Sequence, residues 1–430
     1  MHEQENRCAR RVVVTGLGSI APCGIGRGAL LGAMRGSRSF IRPITRFDAS
    51  GFPCRIAGEV DGFDPSNWMD RSDAARLDRS AQFAVAAATE AVADAALSPT
   101  ALAGARAGVS MGIAAGCMDS CESLLTRLAR GEPGVLSGRF YTSVLAVTAG
   151  AAVARHLGTR GPTDCLSTGC AAGTDAIGQA FLQIRAGRAD VMIAGGADAP
   201  IAPLTFGSLT LIRAMSTRND APERASRPFD RDRDGFLMGE GAGVVVLEEL
   251  GHALRRGARI YMEVAGYGTT LNAHHMTAPR PDAVEMARAI RIALADAALR
   301  PEGIDFVSAH GSSTPLNEVA ETQALKAAFG EQAGRLCVSS LKSMIGHTFG
   351  AAGGHQAVAA ALMFEHDLIP PTVNLDHPDP ACDLDCVPWT ARHRRIGGVL
   401  QNACGFCGKN AVLVYRRLER AAISGAVAAA

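Results

Sequence analysis

Short β-branched runs bounded by glycine alternate along the chain with alanine-rich segments of helical periodicity. The runs predict strands at 11–18, 191–198, 243–250, 261–268, 305–311 and 397–405. Apolar residues at i, i+3 and i+4 predict helices at 79–97, 173–187, 283–299 and 351–366. Strands that alternate with helices predict an α/β layered architecture.

The length of the chain predicts more than a single simple core. Its 430 residues exceed the roughly 250–300 at which single cores stop growing, so we expect two cores or one duplicated core. The run at 261–268 repeats the character of the run at 11–18, which indicates two halves, 1–255 and 256–417. The small-residue segment 418–430 is expected to be a disordered tail.

Charge and hydropathy narrow the class of protein. The 43 Lys+Arg and 42 Asp+Glu residues nearly cancel, which argues against nucleic-acid binding. No apolar stretch approaches the roughly 18 residues of a membrane span, so we expect no membrane association. The basic N-terminus is followed by too short an apolar run for a signal peptide. We therefore expect a cytoplasmic protein whose twelve cysteines are thiols.

Two motifs suggest ligands that their surroundings do not support. Gly16-Leu-Gly18-Ser-Ile-Ala21 meets a relaxed dinucleotide-binding pattern, but Pro22 follows where a helix should begin. We therefore interpret these glycines as a turn. Cys404 and Cys407 have CxxC spacing without a second pair, which disfavours zinc or redox chemistry.

The segment 164–187 carries the strongest chemical signal. Cys170 lies between a short polar, glycine-containing turn and an amphipathic helix. A thiol at a helix N-terminus meets the positive end of the macrodipole, which favours the thiolate near pH 7. A buried packing cysteine explains the same segment equally well.

Two later segments supply histidines and a lysine. A predicted strand ends at His310, and the helix that follows carries Glu318 and Glu321. Lys342 and His347 then bracket a glycine-containing turn before another helix. The imidazole of His310, at a strand end beside a glycine, is well placed to point into a cleft, although a capped core histidine remains an alternative. For Lys342 and His347 the alternatives are a solvated lysine and a histidine with satisfied hydrogen bonds.

The order of these residues, with NACGFCGKNA at 402–411, resembles the β-ketoacyl-acyl carrier protein synthases. It is most similar to their Cys-His-His branch, the elongating enzymes of dissociated fatty-acid and polyketide systems. The resemblance covers residues 12–417 and includes SRPFDRDRDGFLMGEGAGVVVLEEL at 226–250. It implies a thiolase fold, a duplicated α/β/α/β/α five-layer architecture, normally in a dimer.

The resemblance also implies residue roles. Cys170 would attack the thioester of an acyl carrier protein and hold the chain as an acyl-enzyme. The backbone N–H groups of Cys170 and Phe406 would form the oxyanion hole, with Phe406 as the gate of the acyl pocket. His310 and His347 would stabilise the enolate that malonyl decarboxylation creates.

Other residues would support or surround this centre. Lys342 would be an electrostatic and structural partner of Glu321 or Glu318. The resemblance implies that the phosphopantetheine arm is bound by Thr277, Ser312 and Thr314. No metal or organic cofactor is expected, since the carrier's phosphopantetheine arm brings the substrates.

The chain departs from the family loop NSFGFGGTN at three positions. Cys404 replaces an aromatic residue, Cys407 a glycine and Lys409 a threonine. The acyl pocket is predicted to involve Cys404, Leu209 and Ala115, and the small Ala115 favours a deeper pocket. STGC at 167–170 is typical of polyketide enzymes, so we expect a polyketide or specialised fatty-acid pathway.

The implied partners are an acidic acyl carrier protein and a second ketosynthase-like chain, in a homodimer or a heterodimer. Arg76 and Arg213 stand at docking positions, and Arg127 and Arg130 are further candidates. Three other activities are weighed: a thiolase with Cys404 or Cys407 as its second cysteine, a non-catalytic chain-length subunit, and a Cys-His hydrolase. The HGSSTP loop disfavours the first, Cys170 disfavours the second, and the second histidine disfavours the third.

Overall fold

The computed structural model describes residues 10–133, 140 and 144–419, and one large sheet runs through it. Ten main strands build it: β1 (Val12–Ala21), β2 (Ala107–Gly112), β3 (Thr163–Leu166), β4 (Val191–Asp198), β5 (Gly241–Glu249), β6 (Met262–Leu271), β7 (Phe306–Ser308), β8 (Cys337–Ser339), β9 (Gly398–Cys404) and β10 (Lys409–Arg416). Shorter pieces are Gly24–Ile25, which pairs with β1, and the pairs Arg42–Pro43 with Ile56–Ala57 and Leu368–Ile369 with Arg392–His393.

The strand order demonstrates a duplication. The strand order in the sheet is β8-β7-β9-β10-β6-β1-β5-β4-β2-β3. Counted outward from the central pair β1 and β6, the first half runs β1-β5-β4-β2-β3 and the second runs β6-β10-β9-β7-β8, which is the same order of equivalent strands. Within each half, three strands are parallel and two are antiparallel to their neighbours. The halves join where Val12–Val14 pairs antiparallel with Met262–Val264. One hydrophobic cluster therefore contains residues of both halves, with further clusters on either side.

Helices pack on both faces of each half of the sheet, and one layer of helices lies between the two halves. They are α1 (Arg27–Gly36), α2 (Arg71–Ala74), α3 (Arg79–Asp94), α4 (Pro99–Leu102), α5 (Met118–Ala129), α6 (Thr148–Leu157), α7 (Ala172–Arg185), α8 (Pro203–Leu211), α9 (Leu250–Arg255), α10 (Val284–Asp296), α11 (Asn317–Phe329), α12 (Lys342–Ile345) and α13 (Ala352–His366). No helix in the described ranges is long and apolar enough to cross a membrane.

The equivalent helices α7 and α13 form the central layer. They contact each other and strands of both halves, while α3 packs on the first half and α10 on the second. Their N-termini meet through glycines: a Cβ at Gly173 would lie 2.4 Å from the carbonyl oxygen of Gly350, and one at Gly353 would lie 2.3 Å from the nitrogen of Thr174. This contact brings together the segments that precede both helices. The predicted five-layer thiolase fold is confirmed.

The interpretation of Gly16 and Gly18 as a turn is wrong. Both lie inside β1, directly under α3. A Cβ at Gly16 would lie 2.1 Å from the carbonyl oxygen of Ala91, and one at Gly18 would lie 1.9 Å from that of Ala87. Glycine is needed here because the helix approaches the strand too closely for a side chain.

The predicted strands and helices are all present, with boundaries that shift by a few residues. The sequence patterns missed β2, β3 and β8, which are short or contain small and polar residues, and also β10, although it has eight residues and an apolar centre. The prediction of a disordered tail falls on residues 420–430, which lie outside the described residues, and on 418 and 419, which have no regular structure.

Candidate active site

A cleft opens where the two halves meet, at the carboxyl ends of β7 and β9. Its volume is about 280 Å³. The parallel strands of one half end at the same edge, so the loops that follow them converge. Of the residues predicted from the sequence, the following line this cleft: Cys170, Arg213, Thr277, His310, Ser312, Thr314, His347, Cys404 and Phe406.

Cys170 lies in the 3-10 turn Gly169–Ala171, immediately before α7. Its side chain is buried, and burial raises the pKa of the thiol to about 11. The charge of Lys342 and the N–H of Phe406 lower this pKa, but their effect is smaller than that of burial. The expectation of a thiolate favoured by the helix N-terminus is therefore wrong for the resting enzyme, because desolvation dominates. The backbone N–H groups of Phe406 and Cys170 are both directed at the sulfur, where they favour the thiolate but do not outweigh burial.

This pKa predicts how Cys170 reacts with iodoacetamide. Only the thiolate is alkylated, so the rate constant should rise about tenfold per pH unit from neutral pH and still be rising at pH ~10. N-acetylcysteine, the control, should level off near pH ~9. Short reagent pulses followed by peptide mapping would measure the rate at Cys170. A plateau at the pH of the control would contradict the raised pKa.

His310 follows β7, and its imidazole is held in one tautomer. The backbone N–H of Cys404 donates to Nδ1 at 3.2 Å, so the neutral ring carries its proton on Nε2. Burial, the charge of Lys342 and the neighbouring His347 lower the pKa of His310 well below its usual value. His310 is therefore a neutral N–H donor at pH 7.

His347 follows α12 and repeats this arrangement. The backbone N–H of Phe349 donates to its Nδ1 at 3.2 Å, and burial and Lys342 lower its pKa well below the usual value. Its Nε2 is buried and has no hydrogen-bond partner among the described residues. The ring centroids of His310 and His347 are 5.3 Å apart, and the angle between the ring planes is 85°. The cleft thus contains two neutral imidazoles on the wall near Cys170.

Lys342 lies behind the cleft rather than on its surface. Its ammonium group is buried and donates to the carbonyl oxygen of His310. Burial lowers its pKa, while the charge of Glu321 raises it, and no ion pair joins the two in the described part of the chain. The charges of Lys342 and Glu321 therefore attract each other without direct contact, whereas Lys342 donates a hydrogen bond to His310.

The two glutamates hold the loop that carries His310. Glu321 accepts the backbone N–H groups of His310 at 2.7 Å and Gly311 at 2.9 Å. Glu318 accepts the N–H of Ser313 at 2.5 Å and lies 3.5 Å from Arg233. Burial raises the pKa of Glu318 to about 7. Both side chains shape the backbone and do not reach the cleft.

The remaining predicted residues lie at the mouth or outside the cleft. Ser312 and Thr314 are joined by their hydroxyls at 3.1 Å, and Thr277 is exposed beside them. Arg213 is exposed at the mouth, whereas Arg76 lies away from it on the surface after α2.

The predicted acyl pocket is only partly assembled around Cys170. Leu209 packs against the hydrophobic cluster that contains Cys170. Ala114, rather than the predicted Ala115, packs against it as well. The backbone N–H groups of both alanines donate to Asp198.

Sequence reasoning missed two residues of the site. Asp198 at the end of β4 is fully buried and accepts backbone N–H groups from Ala114, Ala115, Gly116 and Gly350, which ties the loops around Cys170 together. The ring of Phe349 stacks on His347 at 4.9 Å. Phe349 could have been found from its position two residues after His347, but Asp198 carries no signal in the sequence because its partners are distant.

A duplicated five-layer fold whose halves meet at a buried thiol and two neutral imidazoles defines a condensing acyltransferase. The sequence comparisons agree with this class. The chain matches the N-terminal domain of β-ketoacyl synthases over residues 9–253 and their C-terminal domain over 261–376. The chain therefore belongs to the β-ketoacyl synthase family.

Relatives from two kinds of pathway are similar to nearly the whole chain. A 3-oxoacyl-[acyl-carrier-protein] synthase 2 of Synechocystis sp. is 45% identical over 95% of this chain and 99% of its own length. The tetracenomycin polyketide synthase ketoacyl synthase alpha subunit of Streptomyces glaucescens is 43% identical over 95% and 97%.

Solved structures show the same fold. The ishigamide ketosynthase/chain length factor has a TM-score of 0.89, with 39% identity over 96% of this chain and all of its own. A type II polyketide ketosynthase, in complex with its acyl carrier protein and bound to a hexaketide, has a TM-score of 0.88 with 38% identity over 95% of this chain and all of its own.

Proposed function

We propose that this β-ketoacyl synthase holds an acyl chain on Cys170 and condenses it with a malonyl group carried by an acyl carrier protein. The observation that carries the proposal is the buried Nε2 of His347, a donor without a partner in the described structure, beside the ring of His310 at 5.3 Å. A buried donor without a partner is costly, so a ligand oxygen is expected to satisfy it.

In the first half-reaction, the sulfur of Cys170 attacks the carbonyl carbon of an acyl thioester. The new C–S bond forms as the bond to the carrier's pantetheine sulfur breaks, and the thiol proton passes to the leaving pantetheine thiolate. The N–H groups of Phe406 and Cys170 stabilise the intermediate oxyanion. The raised thiol pKa keeps Cys170 protonated until a substrate arrives.

In the second half-reaction, the malonyl group loses CO₂ and leaves an enolate. The Nε2–H groups of His310 and His347 donate to the thioester oxygen as its negative charge develops. The enolate carbon then attacks the acyl carbon on Cys170, and the C–S bond breaks to release the chain as a β-ketoacyl thioester. The Cys170 thiolate that remains takes up a proton from water, which restores the thiol. Lys342 favours the neutral form of both imidazoles through its charge.

The proposed carrier is an acidic acyl carrier protein whose phosphopantetheine arm enters past Thr277, Ser312 and Thr314. The position of Arg213 at the mouth supports docking of an acidic partner there, whereas Arg76, exposed away from the mouth, is proposed as a more distant contact. A similar ketosynthase binds its acyl carrier protein. We propose a second ketosynthase-like chain as the subunit partner, and no metal or bound organic cofactor.

The acyl chain is proposed to extend from Cys170 toward Leu209 and Ala114, in the cluster they share with Phe406. The small side chain of Ala114 leaves room for a long chain. The STGC lead-in and the similarity to polyketide enzymes favour a polyketide or specialised fatty-acid pathway.

An assay of both half-reactions tests this function. The protein is incubated with an acyl-carrier thioester, and intact mass and peptide mapping are expected to show one acyl group on Cys170. Malonyl-carrier thioester is then added, and the adduct should disappear as CO₂ and a β-ketoacyl-carrier product form in equal amounts. A panel of chain lengths would define the pocket. An adduct on another thiol, or its release as free acid, would overturn the proposal.

A further inference from the structure

An ion pair joins the two halves of the molecule beside Cys170. The ammonium group of Lys409, the first residue of β10, lies 3.3 Å from a carboxylate oxygen of Asp175 in the first turn of α7. The side chain of Asp175 is 3% exposed and that of Lys409 is 24% exposed. The pair is therefore screened from solvent on its acidic side, where charge interactions are stronger than at the surface.

The carboxylate of Asp175 is fastened to the segment of the nucleophile. It accepts the hydroxyl of Thr168 at 2.7 Å and the buried hydroxyl of Tyr267 at 2.5 Å. Thr168 stands two residues before Cys170, so Asp175 is a fixed point relative to the sulfur. Lys409 is the cation that pairs with this carboxylate among the described residues.

Lys409 in turn closes the short loop that carries Phe406. The carbonyl oxygen of Lys409 accepts the N–H of Gly405 at 2.8 Å across the turn Phe406–Gly408. This loop lies against the nucleophile: a Cβ on Gly405 would be 3.3 Å from the nitrogen of Cys170. The N–H of Phe406 acts on the sulfur from the same loop.

The choice of lysine is unusual for this chain. Its basic residues are almost all arginines, and the sequence holds lysine only at 326, 342 and 409. A threonine, which the related loop pattern has at this position, bears no charge and is too short to reach as a lysine does. Two of the three lysines thus stand beside the site.

We propose that Lys409 is a positioning residue, whose ion pair with Asp175 holds the loop 405–408 against Cys170 so that the N–H of Phe406 stays aimed at the thioester oxygen. The inference rests on the function proposed above. Because the oxyanion forms only during the reaction, loosening the loop should lower the acylation rate constant at saturating substrate more than it raises the apparent KM.

The test measures single-turnover acylation of Cys170 by an acyl-carrier thioester over a range of concentrations. Lys409→Met and Asp175→Asn are each expected to lower the saturating rate constant by roughly 10- to 100-fold, the scale expected when reacting groups are misplaced by about 1 Å. Asp175→Asn also disturbs the hydrogen bonds from Thr168 and Tyr267. The double variant should therefore be no slower than Asp175→Asn, in which the ion pair is already absent. Lys409→Arg should restore most of the rate.

A matched control and the wild type separate the possible failures. Lys326→Met removes a lysine from an exposed pair with Asp383 and should acylate at the wild-type rate. If wild type forms no adduct on Cys170, the proposed function fails. If wild type acylates normally and Lys409→Met and Asp175→Asn match it, only the positioning role fails. Additive losses in the double variant, or no rescue by Lys409→Arg, would also overturn that role. Asp175→Asn keeps the shape of its side chain, so it tests the pair even if Lys409→Met does not fold.

Discussion

Replacing Cys170 by alanine is expected to abolish acyl transfer, with a loss of at least about 10³-fold in the acylation rate. Alanine removes the sulfur that forms the thioester, while the backbone N–H groups of the turn Gly169–Ala171 stay in place. The protein should fold normally, because the side chain is small and lies at the edge of the cleft. Intact mass after incubation with acyl-carrier thioester would detect the missing adduct.

A second buried cysteine provides the control. Cys382 is 2% exposed and is not among the residues that line the cleft. Cys382→Ala should form the adduct at the wild-type rate, which would show that loss of a buried thiol alone has no effect. An acyl adduct that persists in Cys170→Ala would assign the chemistry to another residue, with Cys404 as the first candidate because it lines the same cleft.

Replacing either histidine should separate the two half-reactions. His310→Ala and His347→Ala each remove one donor to the enolate oxygen, so condensation should slow by about 10²- to 10³-fold. Acylation should stay within a few-fold of wild type, because the oxyanion hole of that step is made of backbone N–H groups. The acyl-enzyme should therefore accumulate when both carrier substrates are present. Intact mass and CO₂ release would measure the two steps.

The exposed His393 serves as the control, since His393→Ala should leave both steps unchanged. Equal losses in acylation and condensation for the two site variants would contradict the assignment. Such a result would mean that an imidazole acts as the base that removes the proton of Cys170. The lowered pKa values of His310 and His347 make both imidazoles weak bases, so this result is not expected.

Hydropathy patterns predicted the elements whose signals are local. The strands at 191–198 and 397–405 are mostly apolar and contain glycine, and the corresponding β4 and β9 match them closely. The strand β8 has only three residues and β3 is partly exposed, so their pairing depends on neighbours that are distant in the chain. Gly16 and Gly18 were misread because glycine is typical of turns, whereas here the contact with α3 requires it.

Candidate site residues were predicted from residue type and position, and the structure brings most of them to one cleft. The protonation states could not be predicted in this way. The thiol of Cys170 stands at a helix N-terminus, yet burial has the larger effect on its pKa. The tautomers of His310 and His347 depend on N–H groups of Cys404 and Phe349, which only the fold places against them.

The sequence alone determined the class of fold, the order of the reactive residues and their resemblance to condensing enzymes, since periodicity and motif are properties of neighbouring residues. Only the tertiary structure decided that Cys170 faces two neutral imidazoles, that Lys342 contacts His310, and that Lys409 reaches Asp175. Desolvation, charge and close backbone packing depend on groups far apart in the chain, and these groups meet only when the two halves fold against each other.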